Sequence, residues 1–194
     1  MVHRRVLLWG FALLFAGQGA RAQQAGEAVR MRAVIAKIEG QTLALTPEAG
    51  DAVSVVIAPD AVITRSAPAR LSDIKAGDYI ASTGVKGDDG LLHSTELRIF
   101  PAALRGVGEG QHPMQDPTKT MTNASVSEVV AAAEGQILKV QFGAETSELV
   151  VGPGAAIIAI LMATAGDLKP GMKVFVSASK AADGSLTATR VFAQ

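Results

Sequence analysis

Apolar and polar residues alternate over short distances along most of this chain. Residues 33–39, 42–45, 52–57, 78–85 and 91–99 form apolar or alternating runs bounded by Gly, Pro, Asp and Ser, the pattern of half-buried strands. A second set follows at 124–131, 137–142, 147–151, 172–179 and 185–192. Asp89-Gly90 and Asp183-Gly184 stand between apolar runs, and Asp-Gly marks tight hairpins because both residues tolerate positive φ. Residues 71–77 and 165–171 read as a single helical turn closed by glycine, whose left-handed conformation satisfies the end carbonyls. The alanine-rich stretch from Val129 to Ala133 imitates a helix, but its place in the repeat makes it a strand.

The two sets are one pattern read twice. Asp73-Ile74-Lys75-Ala76-Gly77 returns as Asp167-Leu168-Lys169-Pro170-Gly171, an offset of 94 residues. At the same offset Pro59 meets Pro153, Gly90 meets Gly184 and Leu92 meets Leu186, while Glu39-Gly40-Gln41 meets Glu134-Gly135-Gln136 with a slip of one. A repeat of this length means two copies of one small fold. Five to six short strands with one helical turn predict a small closed barrel of the OB type, since closure hides strand edges that invite aggregation. A flat sandwich is the alternative. The expected architecture is all-β: two tandem OB-like barrels at 29–101 and 121–194, joined by a Gly- and Pro-containing linker at 102–120.

The first 22 residues break the pattern. His3-Arg4-Arg5 gives a basic start, residues 6–17 are apolar, and Ala20-Arg21-Ala22 fits a signal-peptidase site, so a signal peptide cleaved after Ala22 is expected. The mature chain is then periplasmic or secreted. No membrane span is expected: the apolar start is too short, and the run at 155–163 reaches about half of the ~20 residues a helix needs. The whole chain balances 18 basic against 18 acidic residues, and losing Arg4, Arg5 and Arg21 leaves a net charge of −3. An acidic chain is a poor partner for nucleic acid, whose binding depends on neutralising phosphates. The absence of cysteine leaves stability to burial alone, without disulfides or thiolate metal sites.

The linker carries a distinctive wording. Phe100-Pro101, Leu104-Arg105-Gly106, Gly108-Glu109-Gly110, His112-Pro113, Asp116 and Thr120-Met121-Thr122-Asn123-Ala124 follow one another in this order. The run resembles the central signature of an uncharacterised family of exported proteobacterial proteins with two repeated OB-like domains. The two Asp-Ile/Leu-Lys-x-Gly turns and the hairpin from Asp183 to Ala188 fit the same family. Relatives have Trp where Met114-Gln115 stands, lack one residue before His112, and are more polar at 157–162. The resemblance implies the fold and export, and no established activity.

Candidate chemistry is sparse. Glu109, His112, Met114 and Asp116 are the weak candidates for a metal site, His and Met suiting copper and His with carboxylates suiting zinc or nickel. The competing reading is a linker that packs across both domains, and no cofactor is expected. His93 reads as a surface residue of a hairpin. The chain has no G-x-S-x-G elbow and no H-E-x-x-H helix. Its glycine-rich stretch at 106–110 is followed by no helix to cradle phosphate. The reading is therefore non-enzymatic: a binding or scaffolding protein that contacts a protein or another envelope component. The alternative is a small-ligand or metal accessory protein that uses the linker. Once the signal is removed, the aromatics are Tyr79, Phe100, Phe142, Phe175 and Phe192, and most are expected in the core. Ile158, Ile160 and Leu161 lie in an apolar run expected to be mostly buried. If exposed, it becomes a partner or homodimer surface.

Overall fold

A computed structural model describes residues 27–194; the expected signal peptide and its cleavage after Ala22 lie outside them. The described chain is all-β. Its strands are β1 (Glu27–Glu39), β2 (Thr42–Pro47), β3 (Val53–Pro68), β4 (Tyr79–Lys86), β5 (Leu92–Phe100) and β6 (Gly110–Pro113), followed by β7 (Lys119–Ala131), β8 (Gln136–Phe142), β9 (Glu145–Val151), β10 (Ala156–Met162), β11 (Lys173–Lys180) and β12 (Leu186–Ala193). Short 3-10 turns occupy Leu71–Asp73, Ala102–Leu104 and Ala165–Asp167.

The strands close into two rings, and each ring mixes the repeats. In the first, β1 pairs β2, β2 pairs β3, β3 pairs β12, β12 pairs β11 and β11 returns to β1. In the second, β7 pairs β8, β8 pairs β9, β9 pairs β5, β5 pairs β4 and β4 returns to β7. The expected spans 29–101 and 121–194 therefore do not each close a ring of their own: each ring combines three strands of one span with the terminal hairpin of the other. The cores follow the rings. One contains Ile35, Leu43, Leu45 and Val55 with Val174, Val176, Ala188 and Val191. The other contains Ile80 and Leu97 with Val126, Leu138, Val140, Leu149 and Val151.

Strand length explains the exchange. β3 has 16 residues, which at about 3.3 Å each carry the chain about 50 Å, well past one ring. Its first residues pair β2, residues 55–65 pair β12, and its last residues pair β10. The chain therefore turns at Leu71–Asp73 beside the second ring, where β4 and β5 find their partners. In the second repeat β9 and β10 follow the same course. β10 pairs β3 antiparallel and β5 parallel, which welds the two rings into one sheet.

The two repeated turns sit at the crossing points. The carboxylates of Asp73 and Asp167 accept hydrogen bonds from the backbone N–H groups of Arg70 (2.8 Å) and Thr164 (2.7 Å). Gly77 and Gly171 follow in the left-handed region, with φ of 92° and 90°. The Gly77 N–H donates to the Val126 carbonyl (2.8 Å) and the Gly171 N–H to the Ile35 carbonyl (2.7 Å). Each bond ties one repeat to the other. Among the described residues no helix is long and apolar enough to cross a membrane.

Candidate functional site

The linker covers one ring and leaves the matching face of the other open. After the turn at Ala102–Leu104 the chain runs back along the outside of β4 and β7. The Tyr79 hydroxyl donates to the Val107 carbonyl (3.1 Å), and the Asn123 amide donates to the Gly108 carbonyl (2.8 Å). The Arg105 guanidinium donates to the Gly77 carbonyl and to the Ser125 hydroxyl (3.1 Å). β6 then pairs the start of β7. The linker is thus packed against the second ring, and Ala81 beneath it is 6% exposed. Its counterpart 94 residues on, Phe175, is 38% exposed.

That open face forms one wall of a cleft of about 340 Å³. Register places its residues in two rows across β1, β11, β12 and β3. Arg30 lies opposite Ser177, Ser177 opposite Arg190, and Arg190 opposite Val62. One step along, Arg32 lies opposite Phe175, Phe175 opposite Phe192, and Phe192 opposite Thr64. The alternation that sends Val174, Val176 and Val191 into the core turns the intervening residues outward. Ile160 of β10, 5% exposed, continues the apolar floor. Phe100 and Arg98 of β5, with Leu104 and Val107 of the linker, form the opposite wall. The cleft therefore exists only because the repeats exchange hairpins and the linker folds back beside them.

Its charge is one-sided. Among the described residues three arginines line it and no carboxylate does. Arg98 is committed to Glu96, 2.5 Å away; among the described residues neither Arg30 nor Arg190 forms an ion pair. The lining offers an apolar surface at the phenylalanines and hydrogen-bond donors at the guanidinium groups. Beside it, burial pushes the Tyr79 phenol up, with Glu109 adding to the shift and Arg105 opposing it.

The residues singled out in the sequence land elsewhere. Glu109 accepts the Gly143 backbone N–H (3.1 Å) and His112 meets the Gly108 carbonyl (3.3 Å). Asp116 caps the turn before β7, accepting from the Thr118 N–H (3.0 Å) and hydroxyl (2.7 Å). These contacts, first the Thr118 hydroxyl, hold the Asp116 carboxyl below its usual range. The Met114 N–H closes the same turn onto the Lys119 carbonyl. No group of three or more His, Asp or Glu gathers as a metal site among the described residues. His93 is exposed and pairs with Asp89 (2.9 Å).

Two expectations need correction. The run holding Ile158, Ile160 and Leu161 is strand β10, and only Ile160 is fully buried. Ile158 is half-buried and Leu161 exposed, because a bridging strand has neighbours at its edges and only partial cover on its faces. The aromatics divide as well. Tyr79 and Phe142 are buried, but Phe100, Phe175 and Phe192 line the cleft. Sequence reasoning missed Arg30, Phe175 and Arg190 as a group; the one available signal was a phenylalanine on the outward step of an alternating strand. Comparison with family models, curated proteins and solved structures returns no match.

Proposed function

We propose that this is an exported, non-catalytic binding protein of the bacterial envelope that holds a small ligand in the cleft between its first ring and the linker. In this reading each ring is a small OB-like barrel and the linker is a built wall of the site. The observation that carries it is the exposed Phe175 beside the half-buried Phe192, which line a cavity of about 340 Å³ together with Leu104 and Val107. That volume falls within the range of about 300–1,000 Å³ typical of small-molecule sites. The export signal and the family resemblance of the linker support the compartment. The ligand-binding reading is preferred to scaffolding because the exposed phenylalanine sits in a concavity and not on a flat patch.

The test is amide chemical-shift mapping of the mature protein with a cocktail of small organic fragments. Perturbations gathered at Arg30, Phe100, Val107, Phe175 and Phe192 are expected. Perturbations scattered over the surface, or gathered on β8 and β9, would overturn the reading.

A further inference from the structure

Resting on that reading, we infer that the cleft selects an anionic amphiphile: a carboxylate or phosphate head on a single apolar chain or ring. The head is held by Arg30 and Arg190 on either side of the Ser177 hydroxyl. Those three residues stand directly opposite one another on β1, β11 and β12. Neighbouring strands lie about 4.8 Å apart, so the two arginines flank Ser177 from backbones about 10 Å apart, within reach of one anion. Guanidinium groups bind carboxylate and phosphate oxygens through paired N–H donors.

The apolar row comes next along the strands. Phe175 and Phe192 sit one register step from the arginines, and Ile160, Phe100, Leu104 and Val107 extend the apolar surface toward the linker. A ligand lying along this line places its charge at one end and its hydrocarbon at the other. The second ring has no equivalent site. Glu96 occupies the position that repeats as Arg190, and its carboxylate is bound to Arg98. The preference for anions is local, because the mature chain as a whole carries a net negative charge.

Titration calorimetry of the mature protein, with each probe below its micelle concentration, tests the inference. Decanoate and decyl phosphate are expected to bind with one site. Arg30→Gln and Arg190→Gln are each expected to weaken both about tenfold, as loss of a charged hydrogen bond does. Phe175→Ser should weaken them similarly while leaving the melting temperature within about 2 °C, as for an exposed position. Decyltrimethylammonium should bind far more weakly, and inorganic phosphate should not match decyl phosphate. Equal binding of the cationic probe would make the cleft merely apolar; equal binding of inorganic phosphate would make it merely an anion site. Either result, or no binding of the decyl anions, or unchanged affinity in the arginine variants, overturns the inference. Fragment perturbations that still gather in the cleft would leave the broader binding reading standing.

Discussion

Replacing Leu97 with Ala probes the exchange of hairpins between repeats. Leu97 is fully buried on β5, in a core otherwise built largely from the second repeat, including Val126, Leu138, Val140 and Leu149. Removing its branched end costs the transfer energy and leaves a cavity, about 2–5 kcal/mol together. For a protein of this size that lowers the melting temperature by about 4–20 °C. The informative quantity is the coupling. Ile157 of β10 lies directly opposite Leu97 and packs against the same core, so Leu97→Ala and Ile157→Ala should be non-additive by about 0.5–3 kcal/mol. Leu45 belongs to the same repeat as Leu97 but to the other ring. Leu97→Ala and Leu45→Ala should therefore add within about 0.5 kcal/mol. Urea unfolding followed by circular dichroism, with shared slopes, supplies all the free energies. Coupling to Leu45 with additivity to Ile157 would refute the exchanged arrangement.

Gly135→Ala should unfold the β7–β8 turn, since a Cβ there would meet the Val151 carbonyl at 2.1 Å on a backbone with φ of 89°. Gly40→Ala, which meets nothing within 4 Å, should cost only the left-handed penalty of about 1–2 kcal/mol; equal melting temperatures for the two variants would contradict this. Tyr79 is the single tyrosine, so tyrosinate absorbance reads it directly and should appear above the ordinary value near 10. Because its folded-state value is raised, the associated stability is present below about pH 10 and lost as pH climbs through the raised value; titration at or below the free-tyrosine value would refute the burial argument. The Asp167 carboxyl is lowered chiefly by the Thr164 backbone N–H, and that of Asp183 chiefly by the Ser185 hydroxyl. Their contribution is intact above the unfolded carboxylate range near pH 4 and is lost as pH falls through their lowered values. Asp167→Asn should flatten the acid limb of the melting curve, and an unchanged limb would count against the cap.

Local structure was readable because it depends on neighbours in sequence. Asp89-Gly90 and Asp183-Gly184 form the β4–β5 and β11–β12 turns, with both glycines at positive φ. The helical turns appear at 71–73 and 165–167, where the repeat places them, but extended Ile74 and Leu168 end them, and Gly77 and Gly171 do not close them: their N–H groups bond to the other repeat. β10 was missed as a strand because Ile157 to Met162 is apolar at every step, and without alternation there is no period to read. The continuation of β3 through Pro59 to Pro68 was missed because proline ordinarily ends a strand. Pairing was not legible at all. A hairpin keeps the same inward pattern whether it closes its own ring or the other, so Ile80 and Leu97 look identical in either arrangement. The cleft depended on that choice: Arg30 belongs to the first repeat, while Ser177 and Arg190 come from the second.

The exchange of hairpins sets β1 against β11 and β4 against β7. Backbone nuclear Overhauser contacts measure this most directly, because antiparallel partners place their Cα atoms about 4.5–5.5 Å apart. Cross-strand contacts are expected between Arg32 and Phe175 and between Ala81 and Asn123. Contacts between β1 and β4, with none between β1 and β11, would contradict it.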